Sequence, residues 1–474
     1  MINNSTPSRL LLIGGTIISA VCWYFAIDLS GSFGWLLWFA PIPLLIIAFQ
    51  GNKKQAFFAA FIAYLIGRLN WLPFFFVLMP SVMAIFITIL LPLIFSLLIL
   101  LTRWLVLKTK SSFSVFVYPV VAAAAEFTLS TGSIDGTAGS LAYTQSNYLP
   151  IIQIASITGI WGIIFLVALI PSTLAVAWFL KEDKKQSKLA LAFGCIILFV
   201  GLTFGWVRLN SHSDSKTIPV GLTVISEDLH QIAKKTPVLT VAQNYIDQIA
   251  PLAKAGAAYV IFPEKALLVK ATGKDSVIQL LQKGAAENNV TIIGGLLIFK
   301  EKSKQNIVVF VSPDGKVQEY VKRFHVKGWE DGEEVGDKVG WLQNTPVPSA
   351  MAICKDMDFP QWLRQYSEAD LLFAPAWDFE RDGWLHSRMA VLRGVENGFT
   401  IVRAARQGRL TVTDYCGRVI GEEINDHGNK GSLLIQAPVY SIDTLYSKWS
   451  DWFGLTSLVI VLALVAISFF RKQA

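Results

Sequence analysis

The sequence predicts a multi-pass α-helical membrane domain joined to an α/β domain, and composition is the first reason. The chain has 474 residues, of which 53% are hydrophobic and only 16% are charged. That balance is too apolar for an ordinary soluble enzyme. The apolar residues dominate 10–207 and 452–470, whereas 211–450 has the mixed composition of a globular domain. We therefore predict a membrane domain over 1–210, a catalytic-type domain over 211–450, and a last span with a basic tail over 451–474.

The membrane domain is predicted from the length of its apolar segments. A helix needs roughly 20 apolar residues to cross the hydrocarbon core of a bilayer. About eight segments meet this requirement: 10–28, 32–49, 55–77, 80–102, 113–130, 153–180, 188–207 and 452–470. The first lacks the cleavage pattern of a signal peptide, so we interpret it as a retained span. The fifth carries Glu126, which is either an interfacial carboxylate or a contact for a lipid head group.

Basic residues alternate along the predicted loops and indicate the orientation. Lys53 and Lys54 lie between the second and third spans, and further lysines lie between the sixth and seventh, whereas the intervening loops hold almost nothing basic except Arg68. Since basic loops tend to face the cytoplasm, both termini are predicted inside and 211–450 outside. The net charge of +7 is then mainly a topology signal. No basic stripe interleaved with aromatics indicates nucleic acid binding.

The globular part alternates strand and helix patterns, which indicates an α/β domain. Strands are predicted at 218–225, 257–264, 290–299, 306–323, 350–354, 370–376, 399–405 and 409–414, and helices at 240–256, 275–289, 359–369 and 384–398. Catalytic residues of such domains tend to lie at the carboxyl ends of strands. Glu264 and Cys354 both end a predicted strand, and Lys322 ends another.

These three residue types can perform acyl transfer. A carboxylate can take the proton of a thiol, and a lysine can stabilise the oxyanion that forms when the thiolate attacks a carbonyl. Because a predicted helix start follows Cys354, we also expect backbone N–H groups to favour its thiolate form. The alternative is a buried thiol without a role, as most free cysteines are. The five histidines form no close ligand pair, so neither a metal nor a cofactor is expected.

Three blocks of the sequence resemble the signature blocks of the nitrilase, or carbon–nitrogen hydrolase, superfamily. They are VIFPEKAL (260–267), NIVVFVSPDGKVQEYVKR (306–323) and AICKDMDFP (352–360), and RGVENG (393–398) also matches. The resemblance implies an α-β-β-α sandwich with Glu264, Lys322 and Cys354 as a catalytic triad. It further implies that Glu330, eight residues after the lysine, acts as a second glutamate that orients Lys322 or relays protons.

The membrane part narrows the resemblance to bacterial apolipoprotein N-acyltransferases. Eight spans with the hydrolase-like domain between the seventh and eighth resemble that family's architecture, and 139–162 resembles its segment around the sixth span. The resemblance implies that an acyl chain moves from a phospholipid, through a thioester on Cys354, to the α-amine of a diacylglyceryl-cysteine lipoprotein. It also implies a monomer in the bacterial inner membrane, with its catalytic domain on the periplasmic side.

Several positions depart from the family's pattern and leave alternatives open. Lys355 and Asp356 stand where the family has Tyr-Glu, and we expect their side chains to shape the pocket for the second substrate. The arginines of the RAARQGR stretch (403–409) either bind a phosphate or face solvent: Arg403, Arg406 and Arg409. Trp377 and Trp384 are expected as loop or rim aromatics that could contact lipid.

Three readings of the function therefore remain open. The first is the lipoprotein N-acyltransferase. The second is a membrane-anchored amidase, or an acyltransferase with another amine acceptor. The third is a scaffold without catalysis. The phospholipid head group, the acyl chain and the acceptor stay open, as does a disulfide between Cys354 and Cys416, since two cysteines outside the cytoplasm could pair.

Overall fold

The computed structural model describes residues 7–211, 216–226, 237–425, 427–440 and 442–470. The chain forms two compact units. The first comprises the residues up to Ile134, Gly139–Asn210 and the residues from Trp449 onward, and the second comprises Asp135–Ala138 with Ser211–Lys448. The predicted basic tail beyond residue 470 lies outside the described residues.

The first unit is helical, as predicted. Within the described residues, seven helices are long and apolar enough to cross a membrane: Arg9–Ala26, Lys53–Leu78, Ser81–Thr109, Ser112–Thr131, Ile160–Phe179, Lys184–Asn210 and Trp452–Phe470. Two shorter apolar segments, Gly34–Gln50 and Leu149–Thr158, accompany them. The predicted count of about eight spans is therefore roughly right.

The segment predicted as a second span, 32–49, is broken into two short helices instead of forming one long helix. It forms a short 3₁₀ helix, Gly34–Trp38, followed by the ten-residue α-helix Pro41–Gln50. Proline has no N–H to donate and its fixed φ suits the first turn of a helix, so Pro41 starts a new helix rather than continuing the previous one. Hydropathy alone does not reveal this break.

Two tryptophan hydrogen bonds hold the start of the last helix of the first unit. The indole N–H of Trp161 donates to Asp451 over 2.7 Å. The indole N–H of Trp452 donates to the carbonyl of Ile157 over 2.8 Å. Buried indoles usually need such partners. These two bonds join helix Trp452–Phe470 to the region around residue 160, although the whole globular part separates them in sequence.

In the described part of the second unit there are thirteen strands in two sheets. The strands are β1 Lys216–Val224, β2 Tyr259–Ile261, β3 Leu267–Lys270, β4 Thr291–Phe299, β5 Lys304–Val311, β6 Val317–Val321, β7 Gly340–Trp341, β8 Ser349–Met351, β9 Leu371–Trp377, β10 Thr400–Arg406, β11 Arg409–Thr413, β12 Val419–Ile424 and β13 Gly431–Val439. The helices are Val238–Lys254, Lys274–Asn288, Pro360–Leu363 and Gly383–Asn397, and a short helix, Leu445–Trp449, follows the last strand.

The sheets are mixed. The first has the order β13-β1-β2-β4-β5-β6, with β3 also paired to β4, and the second has the order β12-β11-β10-β9-β8-β7. In the first sheet β1, β2 and β4 run parallel, while β13 pairs antiparallel with β1. In the second, β8, β9 and β10 run parallel.

Three hydrophobic layers hold the second unit together. One lies between the first sheet and helices Val238–Lys254 and Lys274–Asn288. The middle layer joins the facing sides of the two sheets, where Tyr259 and Phe373 pack with ring centroids 5.2 Å apart. The third lies between the second sheet and the helices that cover it. Since each sheet buries both faces, the unit is an α-β-β-α sandwich, which confirms the fold class expected from the sequence.

Some predicted elements differ from the observed ones. The strand predicted at 257–264 is only β2, three residues long, and the helix predicted at 359–369 is one α-helical turn followed by the 3₁₀ turn Arg364–Tyr366. Strands β3, β7, β12 and β13 were not predicted. β12 is partly polar and β13 contains a proline, which are poor signals for a strand.

Candidate functional site

Both sheets contribute to the candidate site through residues just beyond strand ends. Glu264 follows β2 and Lys322 follows β6 in the first sheet, while Cys354 follows β8 in the second. The ammonium of Lys322 donates to Glu264 Oε1 over 2.7 Å. Glu264 and Lys322 are almost fully buried, at 2% and 1% exposure. An isolated buried charge is costly, so each of the two stabilises the other's charged form.

Glu330 completes a buried ion cluster around Lys322. The lysine Nζ lies 2.8 Å from both carboxylate oxygens of Glu330, and the backbone N–H of Val326 also donates to this carboxylate. Burial alone would lower the pKa of Lys322, but the charges of Glu264 and Glu330 outweigh burial and hold it well above its usual value. The two carboxylates therefore favour the charged form of Lys322, and Glu330 is itself only 6% exposed.

Asn306 donates to the same oxygen of Glu264 as Lys322 does. The side-chain amide of Asn306 donates to Glu264 Oε1 over 2.7 Å. The backbone carbonyl of Asn306 accepts the backbone N–H of Lys322 over 2.9 Å. Asn306 is fully buried in β5. The sequence analysis missed this residue, although a buried amide at the start of an apolar strand is a weak signal for a polar contact.

Cys354 has a strained backbone and a thiol with a raised pKa. Its φ is +39°, a left-handed conformation that costs a non-glycine residue roughly 1–3 kcal/mol. Its Sγ lies 3.6 Å from the carbonyl of Trp377. Burial raises the pKa of the thiol well above its usual value, Glu264 raises it further, and Lys322 opposes the rise. Burial thus opposes the thiolate form that the backbone N–H groups were expected to favour, and the turn that supplies those groups is only the five-residue 3₁₀ helix Cys354–Asp358.

Asp356 ties the Cys354 turn to the end of β6. The carboxylate accepts the backbone N–H of Ile353, the backbone N–H groups of Arg323 and Phe324, and the hydroxyl of Tyr320. It is fully buried, and burial raises its pKa to about 6. The expectation that Asp356 lines a substrate pocket was therefore wrong. A carboxylate that satisfies three backbone donors acts as a brace between the strand of Lys322 and the turn of Cys354.

Lys355 is also engaged inside the second unit. Its ammonium lies 2.8 Å from Asp135 and 3.2 Å from Asp358. Thr137 donates to the carbonyl of Asp358 from both its backbone N–H, over 2.8 Å, and its hydroxyl, over 2.7 Å. The segment Asp135–Ala138 thus fastens the end of the turn that begins at Cys354. Lys355 is only 7% exposed. The expectation that its side chain shapes an open pocket was therefore wrong as well.

The three arginines are held by internal partners instead of facing solvent. Arg403 forms a bidentate ion pair with Asp378, at 2.5 and 3.0 Å. The guanidinium of Arg406 lies 4.1 Å from the ring centre of Trp377, and Arg409 pairs with Glu422 over 2.7 Å. The Asp378–Arg403 pair lies close enough to Cys354 to influence its thiol electrostatically.

The remaining candidates have simpler environments. Trp377 is half-buried, and its indole donates to Gln407 over 2.7 Å, whereas Trp384 is buried in a helix rather than at a rim. Glu126 accepts the backbone N–H of Leu141 over 3.4 Å. All four cysteines are free, so Cys354 and Cys416 are not paired.

Comparison with known proteins gives both parts of the chain a family. Residues 19–173 match the model of the apolipoprotein N-acyltransferase N-terminal domain, and residues 226–435 match the model of the carbon–nitrogen hydrolases. The observed sandwich and the second match place the second unit in the carbon–nitrogen hydrolase superfamily. With its amino-terminal match included, the chain belongs to the apolipoprotein N-acyltransferase family.

Curated relatives carry the same family name at low identity. The apolipoprotein N-acyltransferase of Bradyrhizobium diazoefficiens is 24% identical, and the match covers 70% of this chain and 68% of the relative. That of Haemophilus ducreyi is 25% identical over 70% of each chain. Apolipoprotein N-acyltransferase 2 of Treponema denticola is 23% identical over 96% of this chain and 93% of the relative. Among solved structures, an amidase from Nesterenkonia sp. matches 52% of this chain and 97% of its own, with 16% identity and a TM-score of 0.44.

Proposed function

We propose that this protein transfers an acyl chain from a phospholipid to the amino-terminal amine of a diacylglyceryl-cysteine lipoprotein, through a thioester on Cys354. The observation that carries the proposal is the buried bridge of Lys322 between Glu264 and Glu330, in the same electrostatic neighbourhood as the Cys354 thiol. The match of the membrane domain to the same family supports lipid substrates, since the phospholipid and the lipoprotein would both keep their acyl chains in the bilayer.

In the first half-reaction Glu264 acts as the base. It takes the proton of the Cys354 thiol while the sulfur attacks the ester carbonyl carbon of the phospholipid. Lys322 and the backbone N–H of Lys355 stabilise the resulting oxyanion. The ester C–O bond then breaks, Glu264 returns the proton to the leaving oxygen, and a lysophospholipid departs. A thiol with a raised pKa fits this order, because its proton leaves only as the attack proceeds.

In the second half-reaction the lipoprotein amine attacks the thioester carbonyl. Glu264 takes a proton from the amine, and Lys322 again faces the oxyanion. The C–S bond breaks, the sulfur recovers the proton from Glu264, and the acyl chain remains on the lipoprotein as an amide. Glu330 has the role of orienting Lys322 throughout, which its two contacts with the ammonium support.

The test is to trap the acyl-enzyme with a phospholipid labelled in its acyl chain and then add either a diacylated lipopeptide or buffer. We expect the label to move to the peptide amine and to stay on the enzyme in buffer. Free labelled fatty acid, released at the same rate with and without peptide, would instead favour a membrane-anchored hydrolase. Transfer to an unlipidated amine at an equal rate would favour an acyltransferase with another acceptor.

The catalytic domain is proposed to lie outside the cytoplasm, in the periplasm of a bacterial inner membrane. The alternation of basic loops motivates this orientation. Reporter fusions at Ser211 and Ser447 should therefore show activity outside the cytoplasm, and fusions at Lys54 and Lys185 should show it inside. A cytoplasmic signal at Ser211 would overturn both the orientation and the lipoprotein acceptor.

A further inference from the structure

Lys265 is a buried lysine beside the triad that has no role in the mechanism proposed above. It follows Glu264 directly in the chain, it has a left-handed backbone with φ of +51°, and it is only 6% exposed. Its ammonium lies 2.5 Å from Glu330 Oε1 and 2.8 Å from Glu333 Oε1. A left-handed backbone and a buried charge both cost free energy, and lysine is rarely buried unless it is paired. This combination indicates that Lys265 has a role inside the ion cluster.

Glu330 therefore lies between two cations. Its Oε1 accepts from both Lys322 and Lys265, while its Oε2 accepts from Lys322 and from the backbone N–H of Val326. The other polar groups that face this carboxylate are the amide of Asn306, the imidazole of His325 and the carboxylate of Glu333: Asn306 lies 3.5 Å away, and His325 and Glu333 interact with it electrostatically.

The ammonium of Lys322 has no spare N–H in the resting state. An ammonium has three donors, and three carboxylate oxygens lie within 2.8 Å of Lys322 Nζ: one of Glu264 and two of Glu330. To stabilise an oxyanion, Lys322 must withdraw a donor from one of them. Leaving a buried carboxylate oxygen without a donor is costly, unless another donor already serves it.

We propose that Lys265 is a positioning residue for acyl transfer: it keeps a donor on Glu330 Oε1 when Lys322 turns one N–H toward the oxyanion. This inference rests on the proposed function above. Each of the three oxygens has a second donor: Asn306 on Glu264 Oε1, the Val326 N–H on Glu330 Oε2, and Lys265 on Glu330 Oε1. Among these second donors Lys265 is the cation, and charge-assisted hydrogen bonds are the stronger ones, so Oε1 of Glu330 is the oxygen that Lys322 can release at the lowest cost. The charge of Lys265 also balances Glu333, which would otherwise add a third carboxylate around a single lysine.

The test compares Lys265→Met, which removes donor and charge at similar length, with Lys265→Arg, which keeps both. The kcat for acylation by a labelled phospholipid should fall about 10²-fold in K265M, as expected for a weakened oxyanion donor. KM should change little, because Lys265 is only 6% exposed and its ammonium is paired with Glu330 and Glu333. K265R should recover most of the loss. Lys274→Met is the matched control, since it breaks the surface pair with Glu319 and should change neither constant.

The pH profile separates this role from a merely structural one. Burial would raise the pKa of Glu330, but Lys322 and Lys265 hold it well below its usual range. Removing Lys265 removes one of these two charges, so the pKa of Glu330 rises. Because Glu330 orients Lys322 in its ionised form, K265M should lose activity at a higher pH than wild type as the solution is acidified. The acidic limb of K265R should stay close to that of wild type.

A double variant keeps the inference testable if K265M does not fold. Lys265→Met with Glu333→Gln removes one charge of each sign and still lacks the donor to Glu330, so it should fold while its kcat stays low. A wild-type kcat and pH profile in this double variant, or in K265M itself, would overturn the role of Lys265 and leave the proposed function standing. Absence of any acyl-enzyme in the wild type would overturn both.

Discussion

Replacing Cys354 with alanine is expected to abolish both the labelled thioester and acyl transfer to the lipopeptide. The thioester needs a sulfur nucleophile, and Cys354 supplies it, so the residual rate should be close to the background rate without enzyme. The domain should stay folded, because alanine keeps the backbone conformation at that position and removes only one sulfur atom. Mass spectrometry of the peptide that contains residue 354 measures the thioester directly.

The matched control for this experiment is Cys416→Ala. Cys416 is fully buried and follows β11, outside the ion cluster. Its loss should lower stability slightly and leave the thioester at Cys354 intact. Full transfer activity in C354A, or loss of the thioester in C416A alone, would remove the nitrilase-type mechanism from consideration.

Replacing Lys322 with methionine is expected to have the second largest effect, on both stability and chemistry. The substitution leaves Glu264 and Glu330 buried around a position that has lost its cation. Breaking a buried ion pair by removing one partner typically costs ~3–5 kcal/mol. The loss of the main oxyanion donor adds a fall in acylation rate of about 10²–10³-fold. Apparent Tm in detergent and the rate of thioester formation are the two measurements.

A second substitution separates the two effects of Lys322. Lys322→Met combined with Glu330→Gln removes one charge of each sign from the cluster. This variant should regain much of the apparent Tm that K322M loses, yet its thioester formation should stay low. Recovery of thioester formation together with stability would contradict the role of Lys322 in the chemistry, since the ion pair would then serve only folding.

The strand ends that carry Glu264 and Cys354 were predictable because each follows an apolar run. Lys322 follows the partly exposed strand VQEYV, which was predictable from the Pro313-Asp314-Gly315 turn before it. Their arrangement in space was not fixed by those runs. Lys322 and Glu264 meet because β6 and β2 belong to the same sheet, with β4 and β5 between them. The contact between Lys322 and Glu264 was expected from the resemblance to a known superfamily, because the periodicity of the sequence does not predict it.

The residues around the triad were harder to predict for a physical reason. Asn306, Lys265 and Asp356 act through contacts with residues distant in sequence, and their own neighbours in the chain carry no trace of those partners. Charged residues are usually expected at the surface, so Lys355 and Asp356 were placed beside an open pocket. The structure buries both because Asp135 and the backbone N–H groups of Arg323 and Phe324 meet them.

The pairing of β1 with β13 has a consequence for how such a chain could arise. These are the first and last strands of the catalytic sandwich, and Lys216 lies opposite Val439 in an antiparallel ladder. The sandwich therefore begins and ends at neighbouring points on one sheet. Domains with adjacent termini are those that evolution can insert into an existing chain without disturbing either fold. A gene for a membrane protein could thus have gained the strands and helices of this sandwich as one continuous insertion, and the short segment Asp135–Ala138 would then have joined the new domain later.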